Sequence, residues 1–170
     1  MAAFAHYIAF IIFPLGMAFA AASDLLTMTI SNKLVLALLA AFVILAGLTG
    51  MDLHTFALHG AAGGIVLTVA FVCFALGWIG GGDAKFAAVT TLWLGWTNAI
   101  EFIALASLFG GVLTLAILSF RRAVLPAFIV RQPWVQRLHQ EKAGVPYGIA
   151  LAVAGLAIYP HTAWMPMTIG

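Results

Sequence analysis

A chain of 170 residues has the length of one domain, but this one is 65% apolar and only 7% charged, about a quarter of the charged share of an ordinary soluble domain. So few polar side chains cannot cover a water-facing surface, which excludes a soluble globular protein and points to an integral membrane protein. The net charge of +2 gives no argument for nucleic acid, and the single cysteine, Cys73, excludes an internal disulfide or a paired-cysteine zinc site.

Hydropathy and length predict an all-α bundle of about six transmembrane helices, at about residues 3–22, 33–49, 56–79, 84–97, 100–119 and 145–161, most of them near the ~20 residues that cross ~30 Å of hydrocarbon. The first stretch, "MAAFAHYIAFIIFPLGMAFAAASD", contains an "AFA" that resembles a signal-peptidase site. A cleavable signal carries a positive region before its apolar core, whereas the first basic residue here is Lys33, so this stretch is expected to remain as a span. The break that follows, "SDLLTMTISNK", offers Ser31 or Asn32 as a cap for the second helix. After "GMDLHT" comes "GGGDAK", where Gly80, Gly81 and Gly82 precede Asp83. The fourth span is short and begins at that glycine break. "WTNAIE" leads into the fifth span, and a long basic loop, residues 120–144, leads into the last. That final segment opens "GVPYG", with Pro146 suited to a first helical turn and Gly148 to close helix packing. No repeat or second domain interrupts residues 1–170. Trp93, Trp96 and Trp164 lie near span ends and read as interfacial belt residues. The five histidines are scattered without ligand spacing and read as interfacial or loop residues rather than metal ligands.

The basic residues orient the bundle. Lys33 falls in the first break, Lys85 in the third, and Arg121, Arg122, Arg131, Arg137 and Lys142 in the fifth. Positively charged loops stay cytoplasmic, so the odd-numbered breaks are expected to face the cytoplasm and both termini the periplasmic side. On that map Asp52 and Glu101 lie outside, Glu141 lies in the basic loop, and Asp24 and Asp83 stand at helix ends on the cytoplasmic face.

An ionisable group at the membrane edge lines a wet cavity or pairs with something. Glycines allow close approach of backbone or ligand, and irregular backbone near membrane depth needs a polar cavity. Taken alone, "GGGD" also fits a helix–helix turn with an acidic cap. The second carboxylate adds chemistry. Two adjacent aspartates cannot both ionise easily and share a proton. One then takes a proton from water while the other polarises a peptide carbonyl, hydrolysis that needs neither metal nor other cofactor. The motifs of serine and metal hydrolases and of phosphate-binding loops are missing.

Gly80-x-Gly82-Asp83 matches the Gly-x-Gly-Asp signature of membrane aspartic proteases, and "GGGDAKFAAV" resembles its form in the type IV prepilin peptidase family. "SDLLTMTISNKLVLAL" resembles that family's other aspartate motif, in which Asp24 is followed by Asn32 and a new helix, and "GVPYGIALAVAG" resembles its final helix, with Pro146, Tyr147 and Gly148 in matching order. The resemblance implies that Asp24 and Asp83 are the catalytic pair. It further implies that the substrate is a prepilin or pseudopilin precursor with a transmembrane helix, cut in its leader on the cytoplasmic side of the bacterial inner membrane. Classical members also methylate the new N-terminus and carry a segment with paired cysteines. With one cysteine, this chain is similar instead to the short CpaA/TadV-type members that serve Flp-type (tight-adherence) pili, and a peptidase without methyltransferase activity is expected. Membrane lipids and pilus-assembly machinery are the implied partners.

Lesser residues carry two readings each. Lys85 either contacts substrate or tunes the pair, or it snorkels to lipid phosphates. Asn32 and Tyr147 are either substrate contacts or parts of the helix ends. The basic loop is an anchor on anionic lipid or a docking segment. The rival function is a small ion- or proton-coupled transport subunit that uses the same carboxylates; a scaffold without activity is a third.

Overall fold

The computed structural model describes residues 2–123, 126, 132–140 and 143–165. In chain order these form α1 (Ala2–Thr27), α2 (Asn32–Thr49), α3 (Leu53–Ala75), α4 (Gly81–Leu94), α5 (Ala99–Arg122), α6 (Pro133–His139) and α7 (Tyr147–Ile158). Short 3-10 turns follow α4 at Trp96–Asn98 and α7 at Tyr159–His161. Part of the basic loop, including Arg131, Glu141 and Lys142, lies outside the described residues.

Among the described residues, four helical stretches are long and apolar enough to cross a membrane: Ala3–Thr27, Asn32–Thr49, Leu53–Ala75 and Trp96–Arg122. α4 and α7 are shorter, with 14 and 12 residues, or roughly 21 and 18 Å of helix at 1.5 Å per residue. Of the six expected spans, four correspond to helices of spanning length, and the other two fall on the shorter α4 and α7. Boundaries moved as well. α1 runs on to Thr27 instead of stopping near residue 22, so Asp24 is a helical residue one turn from the end. α3 stops at Ala75 and α4 starts at Gly81, which leaves a short connection before the aspartate.

Local chemistry explains these ends. Met28 takes a left-handed backbone, φ 56°, and closes α1 where glycine is the usual choice. Ser31, not Asn32, caps α2 by accepting from the Leu34 N–H at 3.2 Å, and Asp52 caps α3 through the Thr55 N–H at 3.0 Å. Gly95, at φ 82°, ends α4 in a conformation that few residues with a Cβ adopt.

α4 is the axis. Every residue from Phe86 to Leu94 is buried, because α2, α3 and α7 pack around it. α1 packs on α2 and α7, and α5 packs on α7. Small residues permit these approaches: a β-carbon at Gly63 would lie 3.1 Å from the Ala88 carbonyl oxygen, and one at Gly155 would lie 2.9 Å from Thr90 Cγ2.

The C-terminal end of α4 sits in an aromatic cluster, where two sequence expectations are corrected. Trp93 and Trp164 are not belt residues: they are 0% and 1% exposed, with ring centroids 5.1 Å apart. Each indole N–H finds a carbonyl inside, Leu38 at 3.0 Å and Trp93 at 2.8 Å, which lets tryptophan be buried without an orphaned donor. Trp96 is half exposed. His59 is likewise neither interfacial nor in a loop. It is buried within α3, and its Nδ1 bonds the Leu92 carbonyl at 2.6 Å.

Candidate active site

At the opposite end of α4, the start of that helix meets the end of α1 and the start of α7. Gly80 caps α4 in extended backbone, φ −72° and ψ 145°, and its carbonyl accepts the Ala84 N–H at 3.0 Å. Asp83 is therefore the third residue of α4, not its cap, and the end of its side chain lies against Gly80. The glycines serve close approach rather than unusual torsions, since neither Gly80, Gly81 nor Gly82 has positive φ. A β-carbon at Gly80 would lie 2.9 Å from Asp83 Oδ2, while one at Gly82 would meet Ile30 at an ordinary 3.5 Å.

Asp24 comes from α1 and is only 4% exposed. Its Oδ2 accepts the Gly148 N–H at 2.7 Å, in the first turn of α7. A helix N-terminus with a free N–H is a favourable seat for a carboxylate. The backbone of α7 comes this close because residue 148 is glycine: a β-carbon there would lie 2.8 Å from Asp24 Oδ2 and 2.7 Å from Ile30 Cδ1. Pro146 precedes α7 and is buried, so the order Pro-Tyr-Gly aims the helix start at Asp24.

Asp24 and Asp83 thus arrive from helices distant in sequence and line one cavity of about 1000 Å³. Two helix N-termini, those of α4 and α7, open onto the same space, and both favour negative charge there.

The other sequence candidates divide. Gly80, Gly82 and Tyr147 line the cavity with the aspartates, and Gly148 touches Asp24 directly. Lys85 and Asn32 are not among the residues lining it. Lys85 Nζ donates to Asn32 Oδ1 at 3.0 Å on the exposed surface, tying the start of α4 to the start of α2.

Several lining residues escaped the sequence reading: Met28, Thr29, Trp78, Ser107 and Thr114. Trp78 is 73% exposed at this site. Ser107 and Thr114 carried a usable signal. They stand seven residues apart in an apolar helix, so both hydroxyls fall on one face. Each also bonds the carbonyl four residues back, Ile103 and Gly110, at 2.7 Å.

Comparison with known proteins gave one family. A family model described as the type IV leader peptidase family matches residues 11–115, a stretch that contains Asp24, Asn32, Gly80, Gly82, Asp83 and Lys85. No curated protein and no solved structure gave a match.

Proposed function

The chain belongs to the type IV leader peptidase family, and on that premise we propose that it is a membrane aspartic endopeptidase in which Asp24 and Asp83 are the catalytic pair. One observation carries the reading: carboxylates from α1 and α4 line a single cavity at one end of the bundle. The pair holds one proton between two carboxyl groups. The ionised member takes a proton from water, and the resulting hydroxide attacks the scissile carbonyl carbon. The protonated member donates its proton to the carbonyl oxygen. As the tetrahedral intermediate collapses, one of its two hydroxyls returns a proton to the ionised carboxylate, the C–N bond breaks and the leaving amine takes the proton held by the other carboxyl group, which restores the singly protonated dyad. The Gly148 N–H holds Oδ2 of Asp24 throughout and leaves Oδ1 for water.

The substrate is the leader peptide of Flp-type (Tad) prepilins, cut at the cytoplasmic face of the inner membrane. The placement of basic residues in alternate breaks supports that orientation. With its single cysteine, the chain lacks the paired-cysteine segment of methylating members, which supports a peptidase without methyltransferase activity.

The test is cleavage of a Flp-type prepilin by the purified chain and its variants. Asp24→Asn and Asp83→Asn are each expected to lower the rate at least about a thousandfold, since each removes a general acid–base group from the dyad, while the protein still inserts and accumulates. A precursor left intact by the unaltered chain would favour the transport reading of the same carboxylates, and near-normal cleavage by either variant would overturn the catalytic assignment.

A further inference from the structure

A second cavity begins where the first one ends. It is a slot of about 390 Å³ reaching from Ile65 and Cys73 of α3 to Ile103 and Ser107 of α5. Ile79, Asp83, Ser107 and Tyr147 line both spaces, so Asp83 stands on the threshold between them. The two differ in character. The wide cavity has a mixed lining in which polar groups, including the Thr29 and Thr114 hydroxyls and the Asp24 carboxylate, hold a large share. Beyond the threshold residues the slot is lined by hydrocarbon and the Cys73 thiol. Its buried lining is Ala70, Ala87, Ala106 and Leu151, whereas Ile65, Val69 and Ile103 are exposed on α3 and α5. From Ile65 to Cys73 the slot follows α3 for about 12 Å, or roughly two helical turns.

A change from polar to apolar lining at a carboxylate matches a peptide whose cut separates a polar leader from an apolar helix. We infer that the slot between α3 and α5 receives the first two turns of the substrate's apolar helix, entering sideways from the bilayer, while the leader lies in the wide cavity and the scissile bond rests at Asp83. This rests on the peptidase reading and adds to it the direction in which the substrate enters. A comparable groove between α2 and α3, also about 390 Å³, is lined by Val43 and Leu67 and includes Lys85 but neither aspartate. An apolar segment held there would have no such continuity with the dyad.

The native thiol makes the test direct. Cys73 lies in the slot and is the chain's only cysteine. The Asp24→Asn variant is mixed with a Flp-type prepilin carrying one cysteine at successive positions of its apolar helix, and copper phenanthroline is added as oxidant. Disulfide-linked product is expected for positions in the first two turns after the cut and is lost in Cys73→Ser. In kinetics, Ile103→Trp or Val69→Trp is expected to raise KM about tenfold with kcat within about twofold, the pattern of lost ground-state binding, and Leu67→Trp to leave both unchanged. If the unaltered chain does not cut the precursor, the peptidase reading falls and the slot's role with it. If it cuts, but the precursor crosslinks to Leu67→Cys in a Cys73→Ser background and not to Cys73, the slot assignment alone is overturned. An unchanged KM in both slot-filling variants would overturn it too, and would leave the slot to lipid.

Discussion

Asp24 is held by a single backbone N–H and by the missing side chain at residue 148, and Asp83 is held by the first turn of its own helix. That difference orders the glycines. Gly148→Ala would press a β-carbon against both Asp24 Oδ2 and Asp24 Cβ, at 2.8 and 3.1 Å, which displaces either the carboxylate or α7. Gly80→Ala would press only on the carboxylate end of Asp83, at 2.9 Å. At Gly82 the nearest atoms stand at an ordinary contact distance, and alanine there favours the helix. Cleavage is therefore expected to suffer most from Gly148→Ala, with kcat down at least about tenfold because misplacement of a reacting group by an ångström costs that much or more. Gly80→Ala should be next and Gly82→Ala least. Rates of prepilin cleavage at equal protein levels check the order, and a Gly82→Ala loss exceeding that of Gly148→Ala would contradict it. The sequence motifs named all three glycines. Their ranking was not legible there, because it depends on which atoms of other helices stand nearby.

Among the helices, α5 and α7 meet closely at Gly110. A β-carbon at Gly110 would lie 2.3 to 2.5 Å from the ring and hydroxyl of Tyr147, so the tyrosine lies across a bare stretch of α5 backbone. Gly110→Ala overpacks this contact, an error that typically costs about 1–3 kcal/mol. A lower melting temperature in detergent is expected, and adding Tyr147→Ala should recover much of it. No recovery would mean that the ring is not what the β-carbon meets. Nothing in the apolar run around Gly110 pointed to this pairing, since helix periodicity places residues on a face without saying which helix lies opposite. Lys85 shows the same limit. Its position beside Asp83 suggested tuning of the dyad or a substrate contact, yet the side chain bonds Asn32 and joins α4 to α2. The motif kept the residue in view while its partner lay 53 positions away.

In the whole molecule, hydropathy located the helices because a bilayer demands long apolar stretches, and the same demand made the all-α class legible. It misjudged α4, whose apolar side chains face other helices instead of lipid. A hydropathy scale counts both as burial. For that reason Trp93 and Trp164 read as belt residues when they fill the bundle's interior at the end away from the aspartates. Truncating Trp93 to alanine is expected to destabilise the fold by about 3–5 kcal/mol, visible as poor accumulation or early melting. Trp96→Ala, at a half-exposed site, should change stability by less than about 0.5 kcal/mol. Equal effects of the two would return Trp93 to the membrane interface. Most directly at stake is whether the carboxylates of α1 and α4 work as one device. The measurement is the prepilin cleavage rate of Asp24→Asn, Asp83→Asn and the double variant, compared at equal accumulation. If the two act as a unit, each single variant is as slow as the double one. If the two losses multiply, or if one single variant cleaves at close to the unaltered rate, Asp24 and Asp83 do not form a catalytic pair.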